Sequence, residues 1–223
     1  MDEPCEKAPG RRFHLYRGLS WKRLALIVAL GAVAVVMAQR YLESKRPPLV
    51  PPEVAEECRK ELGEALAAVA SSRFAQTERG RILTREVQRY LDAGRIQFSH
   101  GMGKQALFRK ELLRRPVIYI NVPIISGRHI PPDRVTMVEA VYHELLHAIQ
   151  SRSCYEEECD AFVAAAQAEA ALEHTEPEFP ILRDGQPLGK WVRAAYPNAR
   201  PDPAYAPLGH DREWLLRAIQ PKP

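Results

Sequence analysis

His143-Glu144-Leu145-Leu146-His147 places two imidazoles one helical turn apart with a carboxylate between them. On a helix both histidines can ligate one Zn²⁺, while Glu144 points beside the metal, where it can take a proton from water. Chance alone yields the HExxH pattern in roughly 2% of shuffled chains of this composition, so a plain surface helix with two histidines is the weaker reading. Two ligands do not complete a catalytic zinc site, which takes a third protein ligand and keeps one position open. The nearest supply is the acidic run Glu156-Glu157-Glu158, followed by Asp160.

Register arithmetic ranks these carboxylates. If residues 151–154 close a tight turn between antiparallel helices, His147 faces Glu156 and His143 faces Asp160. The expectation is Glu156 as third ligand, with Asp160 accepting the other ring N–H of His143 and fixing its tautomer. Glu157 and Glu158 have no acidic residue four positions later and rank behind. The plain alternative is a helix start whose carboxylates favour the helix dipole.

The elements that must position these groups are readable from periodicity. Asp133 can cap a helix from 134 to about 150, with Val138, Tyr142, Leu145 and Ile149 along one apolar face. An alanine-rich second helix follows to about Glu173. Upstream, helices are predicted over 52–71 and 77–91, a short strand over 94–100, and a further short helix over 106–113. The strongest β signal is Pro116-Val-Ile-Tyr-Ile-Asn-Val-Pro-Ile-Ile125, with Pro123 marking an edge or a strand exit. The resulting fold class is α+β: a mainly helical domain with a small sheet.

HELLHAIQ followed by an ExxxD helix resembles the zincin metallopeptidases, specifically the gluzincin branch. The metzincin continuation is absent, since Gln150 and Ser153 stand where its glycine and histidine would be. The resemblance covers residues 116–173. It implies an active-site helix, an antiparallel ligand helix, and an edge strand, matched by 116–124, along which a peptide lies antiparallel. One departure is the spacer: only eight residues separate His147 from Glu156, shorter than the family's usual length.

The implied cofactor is one Zn²⁺ held by His143, His147 and Glu156, with Glu144 as general base and a polypeptide as substrate. The donor that would steady an oxyanion is not identified by the motif; His100, His174, Tyr205 and His210 lie outside it. Two other functions compete with a metallopeptidase: a catalytically inactive zincin-like domain that binds a partner protein at the membrane, and a purely structural helical domain without metal.

Residues 24–38 form the one long apolar run without a charge. Trp21, Lys22 and Arg23 before it and Arg40 and Tyr41 after it extend the span, so 24–41 reads as a single transmembrane anchor. A cleaved signal peptide is the rival, because Val36-Met37-Ala38 offers small residues where a signal peptidase reads. Basic residues in the leader (1–23) outnumber those just after the run, which predicts a cytoplasmic N-terminus and an extracytoplasmic domain. If the run is cleaved, the domain is secreted.

The rest of the chain divides into a proline-rich spacer (42–52), the metal-centred domain (53–175) and a proline-rich extension (176–223) packing on it. Nine of the nineteen prolines lie in that extension, where one short helix is predicted over 211–219. Cys154 and Cys159 are close enough in sequence for a disulfide in an oxidising compartment and are otherwise buried thiols. With 32 Lys+Arg against 28 Asp+Glu, the chain carries only +4, which does not indicate a nucleic-acid surface.

Overall fold

The computed structural model describes residues 21–110 and 115–220. The predicted leader therefore lies outside the described residues up to position 20. The chain divides into two compact units, Met1–Arg46 and Pro47–Pro223.

In the first unit, helix α1 runs over Trp21–Ser44, 24 residues with no buried side chain. At ~1.5 Å per residue it is about 36 Å long, enough for a ~30 Å hydrocarbon core. It is an apolar N-terminal helix compatible with a membrane anchor or a signal sequence.

The second unit is α+β. Within the spacer Leu49 bridges to Ser99, and helix α2 (Pro52–Ala70) begins at Pro52, where the sequence predicts it. A short 3₁₀ turn, Phe74–Gln76, leads into α3 (Glu78–Asp92), whose N-terminus Thr77 caps by accepting from the Gly80 N–H at 3.0 Å. Strands β1 (Ile96–Ser99), β2 (Ala106–Arg109) and β3 (Val117–Asn121) form a sheet of order β1-β3-β2, with β1 parallel and β2 antiparallel to β3.

Two expectations change here. Residues 106–109 are a strand rather than the start of a helix over 106–113, of which 111–113 lie outside the described residues. Pairing with β3 overrides the helix propensity of Ala106 and Leu107. The strand expected at the edge is then central, and β2 takes the edge. Pro123 marks a strand exit: it separates β3 from the hairpin β4 (Ile124–Ile125) and β5 (Arg128–His129).

Helices α4 (Arg134–Gln150) and α5 (Tyr155–Leu172) form the predicted antiparallel pair. Asp133 caps α4 by accepting from the Thr136 N–H at 2.8 Å. The turn between them closes through Ser151 and Ser153, both in the left-handed region at φ 53° and 55°. On α5, Ala161, Ala164, Ala168 and Ala171 recur at helical spacing and pack into the main core with Leu62, Leu66, Leu83, Ile118 and Leu145. Small side chains let the two helices approach closely, and each buried leucine contributes about 1.5–3 kcal/mol.

The extension is part of the same body. Tyr155, Cys159 and Val163 on the opposite face of α5 meet Ile181, Leu188, Val192, Leu215 and Ile219 in a second core. The extension supplies β6 (Leu182–Arg183), β7 (Gln186–Pro187), α6 (Leu188–Ala195) and the predicted terminal helix α7 (Arg212–Ile219). Helix α6 was not expected, although Leu188 and Val192 stand one turn apart behind Pro187.

Candidate metal centre

Helix α4 presents His143 and His147 with their Nε2 atoms 3.2 Å apart. Ligand atoms about 2.0–2.1 Å from a tetrahedral metal lie ~3.3 Å from one another, so this spacing suits a shared ion. The carboxylate that joins them is that of Glu158, whose Oε2 is 3.6 Å from His147 Nε2 and 4.0 Å from His143 Nε2. His143, His147 and Glu158 form a three-residue cluster able to hold a metal ion. Glu158 Oε2 is buried without a hydrogen-bond partner, as is His143 Nδ1. An orphaned carboxylate oxygen aimed at two ring nitrogens is the arrangement a divalent cation would satisfy.

The expected ligand, Glu156, is elsewhere. Two positions along α5 turn a side chain by about 200°, so Glu156 faces the C-terminal extension. There its Oε1 accepts from Arg212 at 2.8 Å and its Oε2 from the Asp202 N–H at 2.7 Å. Asp160, one turn on and on the same face, is also displaced from its expected role. It pairs with the buried Arg79 guanidinium at 2.8 Å and accepts from the Tyr205 hydroxyl at 2.8 Å, leaving His143 Nδ1 unmatched.

The tautomer-fixing carboxylate belongs to the other histidine and to Glu157. Glu157 Oε1 lies 2.9 Å from His147 Nδ1, and its Oε2 accepts from the N–H groups of Arg152 and Ser153 in the helix–helix turn. That bond places a proton on Nδ1 and turns Nε2 toward the shared site.

Glu144 stands beside the cluster with one oxygen accepting from the Phe108 N–H at 2.8 Å. The Asn121 N–H donates to the Gln105 carbonyl at 2.8 Å, so in the β2–β3 register Gln105, Leu107 and Arg109 bond inward to β3. Ala106 and Phe108 then turn their backbone groups away from β3, and the Phe108 N–H is the one Glu144 accepts. The edge strand thus runs past Glu144.

Charge follows this geometry. Burial, with His147 and Lys104 adding to it, pushes His143 down to about 3. Burial also opposes charge on His147, but the hydrogen bond to Glu157 and the nearby carboxylates of Glu158 and Glu144 carry it up to about 10. Burial raises Glu144 above the usual carboxylate range, against the pull of His147 and the Phe108 N–H. Three carboxylates, those of Glu144, Glu157 and Glu158, converge on His147.

A cleft of about 740 Å³ opens over His143, Glu144 and Glu158 and is walled by Phe162, Trp191 and Tyr196. An adjoining hollow of about 330 Å³ shares Glu144, His147 and Glu158 and reaches Lys110 and Ser151. Phe162 packs edge-on to His143 at 4.4 Å between ring centroids and to Trp191 at 5.1 Å. Tyr196 is thus the phenol beside the site, a residue that no motif in the extension marked.

The four outlying donors do not reach the cluster: Tyr205 is held by Asp160, His210 stacks on Trp214, His100 meets His129, and His174 is exposed at the end of α5. Cys154 and Cys159 are separate buried thiols rather than a disulfide, and Cys154 serves as the cap of α5 by accepting from the Glu157 N–H. No family model, curated protein or solved structure matches this chain.

Proposed function

We propose that the chain is a membrane-anchored, zinc-dependent metallopeptidase of zincin type. The observation that carries this reading is the convergence of His143 Nε2, His147 Nε2 and the orphaned Glu158 oxygen beside Glu144, in a cleft that β2 borders through Ala106 and Leu107. Bound zinc would supply a Lewis acid that polarises a peptide carbonyl and acidifies water. His143, His147 and Glu158 are the residues that would hold it.

The remaining steps belong to the chain. Glu144, its basicity raised by burial, takes the proton from the attacking water and returns it to the leaving amine. Glu157 keeps His147 in one tautomer and orientation. An extended peptide in the cleft would run along β2, whose Ala106 and Leu107 line it. The Tyr196 phenol lines the same cleft and would donate to the developing oxyanion.

Lys22 and Arg23 at the start of α1, with the basic leader before them, favour a cytoplasmic N-terminus, which puts the catalytic unit on the far side of the membrane. The test is zinc content and cleavage of an unfolded protein, measured on the same preparations. Wild type should hold one zinc per chain and His143→Ala none, while Glu144→Gln should keep zinc and lose about 10²-fold or more of the rate. Zinc-free wild type overturns the reading. Zinc-loaded wild type that cuts nothing favours the inactive, partner-binding domain.

A further inference from the structure

We propose that the β4–β5 hairpin and Leu49 form a lipid-docking face, seated in the interface of the bilayer that takes α1. The proposal rests on α1 being a membrane helix and is independent of the metal site.

From Pro47 onward, six large apolar side chains are exposed among the described residues, and four of them, Leu49, Ile124, Ile125 and Ile130, fall in this one region. They are joined by backbone and ring contacts. Leu49 bridges to Ser99, the His100 N–H donates to the Pro48 carbonyl at 3.0 Å, and His100 meets His129 with ring centroids 5.3 Å apart. His129 pairs with Ile124, and the Ile130 N–H donates to the Pro123 carbonyl at 2.9 Å. The point where the chain enters the domain and the apolar hairpin are therefore contiguous.

Three features select a bilayer as the occupant. First, Ile124 and Ile125 are 47% and 59% exposed on a two-residue strand. Second, Arg128 lies exposed beside them, a cation that can reach phosphate while the isoleucines enter the acyl boundary. Third, the tether is short: α1 ends at Ser44, and five residues at ~3.5 Å each bring the chain to Leu49 within about 18 Å. A bilayer holding α1 is within reach of this face by chain length alone. A short, proline-stiffened tether beside exposed isoleucines fits a domain that rests on the lipid.

The experiment uses the full chain with Cys5 replaced by serine, the cysteines at 58, 154 and 159 being buried. A solvatochromic label is placed at Ile125→Cys or, at the opposite end of β1, at Ala93→Cys, and the protein is reconstituted into phosphatidylcholine–phosphatidylglycerol vesicles carrying a shallow nitroxide lipid. The expected result is a blue-shifted label at position 125, quenched at least twofold more than the label at 93. Equal quenching at the two positions overturns the docking face while leaving the anchor intact. Cross-linking of Ile125→Cys between chains, without quenching, assigns the face to a second copy and also overturns it. A chain that fails to float with the vesicles overturns both the anchor and the docking face.

Discussion

Glu156 and Glu158 are two residues apart on one helix and stand in different surroundings, Glu156 against Arg212 and Glu158 beside the two histidines, so exchanging each for glutamine should give opposite results. Glu156 is 2% exposed and accepts two charge-assisted bonds, from Arg212 and the Asp202 N–H. Glutamine keeps the shape but loses the charge. Each such bond contributes about 1.5–3 kcal/mol, and Arg212 retains partial access to water, so Glu156→Gln should cost about 2–3 kcal/mol. For a unit of this size that lowers Tm by roughly 5–10 °C.

Glu158 has an oxygen without any hydrogen-bond partner, so Glu158→Gln should change metal-free stability by less than about 1 kcal/mol. Its cost falls on the metal. Losing a carboxylate that hydrogen-bonds a ligand weakens affinity about 10–100-fold, so losing the anionic ligand itself should exceed ~100-fold. Zinc affinity measured by competition with a chromophoric chelator, and Tm by circular dichroism in chelator, separate the two variants. Zinc loss in Glu156→Gln with retention in Glu158→Gln would refute the register described above. Retention in both would remove a carboxylate from the ligand set.

Glu157→Gln should weaken zinc affinity about 10–100-fold by loosening the His147 ring, and an unchanged affinity would show that His147 needs no orienting carboxylate. Asp160→Ala leaves the Arg79 guanidinium, 1% exposed, without its anion and should cost about 3–5 kcal/mol in urea unfolding, whereas Tyr205→Phe should cost only about 1–3; equal losses would mean the ion pair contributes little. A Cβ at Gly80 would sit 1.9 Å from the Phe74 carbonyl oxygen, so Gly80→Ala should lower stability by about 1–3 kcal/mol despite its better helix propensity, and an unchanged Tm would show that the Phe74–Gln76 turn yields freely.

The long helices were legible because their signals are local: Asp133 and Thr77 as caps, apolar spacing near 3.6, and a turn at 151–154 set by chain length. Strand β2 was not, because Ala106-Leu-Phe-Arg109 prefers helix and becomes a strand only by pairing with β3, an interaction between segments. Helix α6 and the cleft wall depend on the second core, which forms when the extension folds back on Tyr155, Cys159 and Val163.

The histidines and Glu144 were legible as a motif; which carboxylate stands beside them was not, because that depends on the face of α5 as well as on the level. In the register that sets His147 opposite Glu156 and His143 opposite Asp160, Glu158 stands opposite Leu145, midway between the histidines. An ion shared by two histidines one turn apart would belong at that midpoint, and the turn of about 200° from Glu156 is what brings Glu158 onto the face that meets it.

The three consecutive glutamates are therefore a division of labour. Successive residues on α5 turn by about 100°, which sends Glu156 to the extension, Glu157 to His147 and the helix–helix turn, and Glu158 to the shared site. Glu156 fastens the extension, at Asp202 and Arg212, to the same helical turn that carries Glu158. Glu157 fastens that turn to the end of α4 through Arg152 and Ser153. Wall and cluster are thus held by one rigid element, and both sit where the two cores meet along α5. A site built this way depends on the extension for its shape as well as its enclosure, because releasing Arg212 from Glu156 would leave a buried carboxylate without its cation one residue away from the group that orients His147.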